Sequence, residues 1–168
     1  MADLIAYFSR KDENYVSGTL KYLEVGNTEI VADMLQKLTG SDLFFIEMKE
    51  PYAEKYNDCI EQAQDDQKKN ARPELKKYLN DLDRYDTIYL GYPNYWGTMP
   101  MAVFTFLEHY DLKGKTIKPF CTNEGSGLGR SMEDLKKECP DSLIKPGLAL
   151  NGSQVKNSEA ELQKWVKE

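Results

Sequence analysis

The sequence has few of the side chains that bind metals or attack substrates. Its single histidine, His109, excludes a site built from several histidines and leaves little for His-dependent nucleophilic catalysis. Three cysteines, Cys59, Cys121 and Cys139, are far apart and form no CxxC pair. This spacing argues against a disulfide framework or a zinc site. We therefore expect three reduced thiols, no bound metal and no catalytic side chain.

Long apolar runs and an excess of basic residues are also missing. No segment approaches the roughly 20 apolar residues that a membrane-spanning helix needs. The first residues lack the basic region and apolar stretch of a secretory signal, so we expect a cytoplasmic protein. The formal net charge of −6 disfavours nucleic acid and anionic membranes as partners. The same charge is compatible with docking to a basic patch on a partner protein.

The 168 residues fit one domain, residues 1–168, with alternating strands and helices. Near-continuous apolar runs predict buried parallel strands at residues 4–8, 43–48, 87–91, 117–121 and 146–150. One-sided apolar patterns predict helices at residues 27–38, 100–110, 131–139 and 158–166. The polar stretch 54–83, which Pro73 interrupts, predicts a helix in two pieces or a helix and a loop. The chain is thus predicted to be a three-layer α/β fold with strand order 2-1-3-4-5.

The loop after the first strand has the composition of a phosphate site. It begins at Ser9 and Arg10 and resumes at Gly26, Asn27 and Thr28, where a helix starts. Small hydroxyls, free N–H groups and the helix dipole at such a start favour an anion. An ordinary helix cap is the alternative. The polar residues 11–25 between the two halves predict a small hairpin.

The loop after the third strand carries two adjacent aromatic residues. It reads Pro93-Asn94-Tyr95-Trp96-Gly97. Exposed rings are unusual in a loop unless something covers them, and a flat heteroaromatic ligand stacked on Tyr95 or Trp96 would do so. Packing of one or both rings in the core is the alternative.

The loop after the fourth strand alternates glycine with polar residues. It reads Thr122-Asn123-Glu124-Gly125-Ser126-Gly127. Glycine lets backbone amides approach a ligand edge closely, although a glycine-rich turn without a ligand has the same composition. Neither a Walker loop nor a dinucleotide fingerprint is present. A phosphate cradle, an aromatic platform and a wall of backbone amides on one rim together fit flavin mononucleotide (FMN).

Four segments carry a resemblance to a known family. They are Ala6-Tyr7-Phe8-Ser9-Arg10, Val25-Gly26-Asn27-Thr28-Glu29, the stretch from Gly91 to Pro100, and the stretch from Pro119 to Gly129. The sequence resembles the flavodoxin-like superfamily, and closely the bacterial flavodoxin branch with an insertion in the first loop. The resemblance spans nearly the whole chain and implies the flavodoxin-like fold with bound FMN.

The resemblance also implies a role for each loop. Ser9, Arg10, Asn27 and Thr28 would take the phosphate beside Gly26. Residues 93–97 would cover the isoalloxazine ring, and residues 122–127 would line its other side. The peptide between Gly97 and Thr98 matches the one that rearranges in flavodoxins when the flavin is reduced.

The resemblance predicts a low-potential carrier of single electrons between redox proteins, as a monomer or weak dimer. Two alternatives remain open at the level of sequence. An FMN-dependent NAD(P)H:quinone-type reductase would use the same fold and would need room above the ring for a second flat substrate. A phospho-receiver module would need an aspartate at the end of the third strand, where the sequence has Leu90-Gly91-Tyr92-Pro93.

Overall fold

A computed structural model describes residues 2–168 of the chain. Its strands are β1 (Ala2–Tyr7), β2 (Asp12–Val16), β3 (Thr19–Leu23), β4 (Asp42–Phe45), β5 (Tyr85–Pro93), β6 (Thr116–Asn123), β7 (Leu143–Ile144) and β8 (Leu148–Asn151). Its helices are α1 (Asn27–Thr39), α2 (Tyr56–Lys68), α3 (Met101–His109), α4 (Ser131–Glu138) and α5 (Glu159–Val166). No helix within residues 2–168 combines the length and the apolar character needed to cross a membrane.

Six of the strands form one parallel sheet in the order β4-β1-β5-β6, with β7 and β8 both paired to β6. The predicted α/β fold and the order 2-1-3-4-5 are confirmed, with the fifth strand divided in two. Pro146 lies between β7 and β8. Proline has no backbone N–H to donate to a neighbouring strand, so pairing stops there and resumes at Leu148.

Helices cover both faces of this sheet. Successive side chains of a strand point to opposite faces, so Leu4 and Ala6 of β1 enter one core while Ile5 enters the other. The first core contains the apolar side of α3, and the second contains residues of α1 and α5. The strands are buried on both sides, which explains their near-continuous apolar sequences.

The predicted helices are present, with ends that differ by at most one residue. α1 ends where Gly40 adopts a left-handed conformation and donates its N–H to Gln36 O at 2.8 Å. The stretch 54–83 is a helix and a loop: α2 ends at Lys68, and Pro73 lies in the loop that follows.

The predicted hairpin is also present, as a separate two-stranded antiparallel sheet of β2 and β3. Its two-residue turn has positive φ at both positions, +53° at Ser17 and +81° at Gly18. This is the turn geometry that matches the twist of a short hairpin. The hairpin leaves the main sheet just after β1 and returns just before α1.

Candidate functional site

A cavity of about 360 Å³ opens at the carboxyl ends of β5 and β6 and the amino end of α1. Parallel strands bring the loops that follow them to one edge of the sheet, which is where open α/β sheets bind ligands. Most of the predicted site residues line this cavity: Arg10, Asn27, Thr28, Pro93, Asn94, Tyr95, Trp96, Gly97, Thr122, Asn123, Glu124 and Ser126. The exceptions are Ser9, Gly26, Gly125 and Gly127.

Ser9 and Gly26 shape the start of α1 from behind the cavity. The Ser9 hydroxyl accepts a hydrogen bond from the N–H of Glu29, at 3.1 Å, and so caps the helix from a distant position in the sequence. A Cβ on Gly26 would lie 2.2 Å from Ser9 Oγ and 2.7 Å from Arg10 O. Only glycine allows the two halves of the first loop to pack this closely.

The amino end of α1 faces the cavity through Asn27 and Thr28. The first N–H groups of a helix have no partner within the helix, and they carry its positive dipole end. The Thr28 hydroxyl is 2.8 Å from the Thr122 hydroxyl, and this buried pair ties the helix start to the end of β6. The arrangement can receive an anion without a charged side chain.

The guanidinium of Arg10 is directed to backbone carbonyls. Its Nη2 donates to Ala53 O at 2.9 Å and to Glu54 O at 2.7 Å, and its Nη1 donates to Glu13 O. Arg10 therefore fastens the base of the hairpin to the segment that precedes α2. Its predicted role toward a phosphate stays a prediction.

Asn94 holds the aromatic loop in shape. Its side chain donates from Nδ2 to Gly127 O at 2.9 Å and accepts at Oδ1 from Gly97 N, also at 2.9 Å. The backbone turns sharply there, with φ of +53° at Trp96 and +89° at Gly97. Asn94 thus joins the second loop to the third.

The two adjacent aromatics of this loop have different surroundings. Tyr95 packs edge-on against Phe8, with ring centroids 5.8 Å apart, and belongs largely to the core. Burial raises the pKa of Tyr95 well above its ordinary value, and burial also raises the pKa of the nearby Cys59 thiol, so both stay neutral. Trp96 is 44% exposed, and its indole N–H donates to Ile60 O at 2.8 Å. Trp96 is therefore the ring available to a flat ligand.

The peptide between Gly97 and Thr98 is held on both sides. Its carbonyl accepts a hydrogen bond from Arg130 N at 2.7 Å, and its N–H donates to Tyr95 O at 3.3 Å. The Thr98 hydroxyl donates to Asp134 Oδ2 at 2.6 Å, which anchors the loop to α4. Any rearrangement of this peptide must break both backbone bonds.

Two of the predicted backbone donors in the third loop are already used. Asn123 Oδ1 accepts from Gly125 N at 2.8 Å and from Gly127 N at 3.1 Å. These amides close the loop on itself, and neither glycine lines the cavity. Within this loop, Thr122, Asn123, Glu124 and Ser126 reach the cavity.

Sequence reasoning missed a wall built from the hairpin and α2. Asn14 and Tyr15 line the cavity from β2, and Tyr56, Ile60 and Ala63 line it from α2. Tyr15 and Tyr56 have ring centroids 6.1 Å apart. An aromatic residue in an isolated hairpin has no sequence signal that says which neighbour it meets, so only the packing reveals this wall.

The sequence model of one family, described as flavodoxin, matches residues 19–168. The chain belongs to the flavodoxin family. This match begins within the hairpin and covers the remainder of the chain, including all five helices.

Solved structures of related flavoproteins have the same fold as this flavodoxin-family chain. A candidate flavoprotein from Bacteroides eggerthii has 30% sequence identity and a TM-score of 0.80, and the match covers 99% of this chain and 96% of that one. A second one, from Bacteroides uniformis, has 27% identity and a TM-score of 0.79, with coverages of 99% and 98%. A flavoprotein from Lactobacillus acidophilus, solved in complex with FMN, has 19% identity and a TM-score of 0.70, with both chains 98% covered. No curated protein matches the sequence.

The geometry of this flavodoxin-family cavity suits a ligand with a flat ring at one end and an anion at the other. Its volume lies within the range of small-molecule sites. Trp96 offers a partly exposed ring, and the start of α1 offers the positive end of the helix dipole beside Asn27 and Thr28. Arg10 and Glu124 are the charged residues of the lining, so most of the wall is neutral.

Proposed function

We propose that this chain binds one FMN non-covalently in the cavity and acts as a low-potential one-electron carrier between redox proteins. The observation that carries the proposal is the position of Trp96 and the amino end of α1 on one cavity. These are the two features that an isoalloxazine ring and a phosphate need. Membership of the flavodoxin family supports the same reading.

Different residues of the cavity would hold the phosphate and the ring of FMN. Asn27, Thr28 and the first amides of α1 would hold the phosphate, with Ser9 and Gly26 supporting the helix start. Residues 93–97 would cover the ring, with Trp96 as its platform, and residues 122–127 would line the opposite side. FMN supplies the redox chemistry when bound, while the protein binds it, orients it and excludes water.

The charges around the cavity favour a low potential. The guanidinium of Arg10 is hydrogen-bonded to three backbone carbonyls, and Glu124 places a carboxylate in the lining of the cavity. Added negative charge is costly in a partly buried site whose two charged lining residues, Arg10 and Glu124, have opposite signs and leave no net positive charge. Such a site resists taking up electrons, which lowers the potential.

The net charge of −6 supports docking to redox proteins that carry a basic patch, and it argues against nucleic acid or anionic membrane as partners. We further propose that the protein works in the cytoplasm as a monomer or weak dimer. Sedimentation at several concentrations, with and without FMN, tests the oligomeric state.

Titration of the apoprotein with FMN, followed by flavin and tryptophan fluorescence, tests the binding site. We expect one FMN per chain. Trp96→Ala should weaken binding by about ten- to a hundredfold, because it removes the stacking surface. Leu143→Ala removes a comparably exposed apolar side chain at the far edge of the sheet and should leave the affinity unchanged. If the two variants bind FMN with equal affinity, the isoalloxazine ring does not stack on Trp96.

An anaerobic reductive titration of the FMN-loaded protein distinguishes the carrier from an NAD(P)H:quinone-type reductase. A one-electron-reduced form that accumulates before the flavin bleaches supports the carrier. If the flavin bleaches directly and the protein steadily turns over NAD(P)H and a quinone, the carrier function is contradicted and the reductase function is supported.

A further inference from the structure

The β2–β3 hairpin contributes to the cavity without contributing much to either core. Its residues Asn14 and Tyr15 line the cavity, yet Leu20 is 46% exposed and Tyr22 is 67% exposed. Leu20 and Tyr22 are the cross-strand neighbours of Tyr15 and Glu13, and neither of them belongs to one of the two cores. Val16 is the one buried residue of the hairpin, and it belongs to neither core, so movement of the hairpin would leave both cores intact.

The base of the hairpin is fastened by several bonds. Besides the Arg10 bonds to Ala53 and Glu54, the N–H of Glu13 donates to Glu54 O at 3.2 Å. The carboxylate of Glu13 accepts from the N–H of Tyr56 at 2.9 Å. All these contacts join the base to the start of α2, on one side of the cavity.

The tip of the hairpin is held by a different contact. The N–H of Ser17 donates to Glu124 Oε1 at 2.7 Å, although 107 residues separate the two in the chain. Glu124 belongs to the third loop and lines the cavity. The hairpin therefore runs beside the cavity from α2 to the third loop, with a firm base and a tip joined by one charge-assisted bond.

Gly152 leaves the space in which the Glu124 carboxylate lies. A Cβ on Gly152 would lie 2.5 Å from Glu124 Oε2 and 2.6 Å from Asn27 Nδ2. The carboxylate is thus placed between the hairpin tip and the start of α1, beside the predicted phosphate position. Glu124 is exposed, and its Oε1 reaches the N–H of Ser17.

We propose that the β2–β3 hairpin is a movable wall of the FMN cavity, and that the Glu124–Ser17 bond latches this wall shut. The cofactor enters and leaves when the tip detaches and the hairpin pivots on its base. Glu124 is then a positioning residue that controls the exchange of the cofactor. This inference rests on the proposed FMN site, but the latch itself exists without FMN.

Hydrogen exchange of the hairpin amides in the apoprotein tests the latch without the cofactor. Glu124→Ala removes the acceptor and should speed exchange at the Ser17 amide about tenfold or more. Glu124→Gln keeps an acceptor oxygen and should retain much of the protection. Glu133→Ala, which removes a carboxylate from the first turn of α4, serves as the charge control and should change nothing. Unchanged exchange in Glu124→Ala would overturn the latch.

Stopped-flow measurement of FMN association and dissociation tests the movable wall. If the hairpin must open both for FMN to enter and for FMN to leave, Glu124→Ala should raise the association and dissociation rate constants about tenfold. Their ratio should change much less. A rise in dissociation alone would make Glu124 a direct ligand and would overturn the proposal. Slower dissociation would mean that its carboxylate only repels the phosphate, which also overturns it. Failure of the wild type to bind FMN would refute the proposed function and leave the exchange result standing.

Discussion

Gly129→Ala is expected to displace the aromatic loop from behind. Gly129 has a φ of +55°, and a Cβ added there would lie 2.2 Å from Gly97 O and 2.8 Å from Gly97 C. Both are backbone atoms and cannot rotate away. The same carbonyl accepts the hydrogen bond from Arg130 N at 2.7 Å, so the loop cannot shift without losing this bond.

Two terms set the magnitude of this effect. An alanine forced into the left-handed region costs about 1–2 kcal/mol. Overpacking against fixed atoms adds about 1–3 kcal/mol. Gly129→Ala should therefore lower the free energy of unfolding by about 2–5 kcal/mol. It should also weaken FMN binding at least about tenfold, because Trp96 is displaced with the loop.

Gly40→Ala is the matched control. Gly40 has a φ of +70°, but an added Cβ would meet no atom within 4 Å among the described residues. Only the conformational cost of about 1–2 kcal/mol applies, and FMN affinity should not change. Urea unfolding of both apoproteins and fluorescence titration with FMN measure the two effects. Equal losses of stability, or an unchanged FMN affinity in Gly129→Ala, would refute the reasoning.

Three further changes test other parts of the molecule. Lys118→Met removes a buried ammonium that donates to the last two carbonyls of α5, at 3.1 and 3.0 Å, and should lower the free energy of unfolding by about 1–3 kcal/mol in urea denaturation. Gly26→Ala places a Cβ 2.2 Å from Ser9 Oγ, and should cost about 1–3 kcal/mol and weaken FMN binding by titration. Burial, with the neighbouring Glu108, raises the pKa of Glu138 from 4.5 to about 7, so protonation of Glu138 favours the folded state. The contribution of this protonation to the free energy of unfolding is complete below about pH 4.5 and is lost as the pH rises through about 7. Urea unfolding of Glu138→Gln across this pH range should not show that loss.

The strands and helices follow from local sequence because burial leaves a periodic record. Residues 88–90, Ile-Tyr-Leu, are apolar and lie inside β5, which is covered on both faces. The end of α1 follows from Gly40, since a left-handed glycine has a local signature, whereas the hydroxyl that caps its start comes from the distant Ser9 and not from Asn27. The two pieces of the fifth strand were not foreseen, although Pro146 marks the break.

The three loops could be found in the sequence, but the direction of their side chains could not. Tyr95 and Trp96 are adjacent aromatics with no local difference, yet Tyr95 packs on Phe8 whereas Trp96 remains 44% exposed. Alternating glycines indicate close backbone approach, but not that Asn123 would take two of the amides for itself.

The sequence by itself determined the strand order and the positions of the loops, because these depend on the alternation of apolar segments and on short-range capping and turn chemistry. Only the tertiary structure decided what Arg10 and Glu124 bind. Apart from Glu13, which is close to Arg10 in sequence, their partners are Ala53, Glu54 and Ser17, which lie 43 to 107 residues away in the chain. A hydrogen bond across such a separation leaves no periodic pattern, because it depends on where the folded sheet brings the loops together.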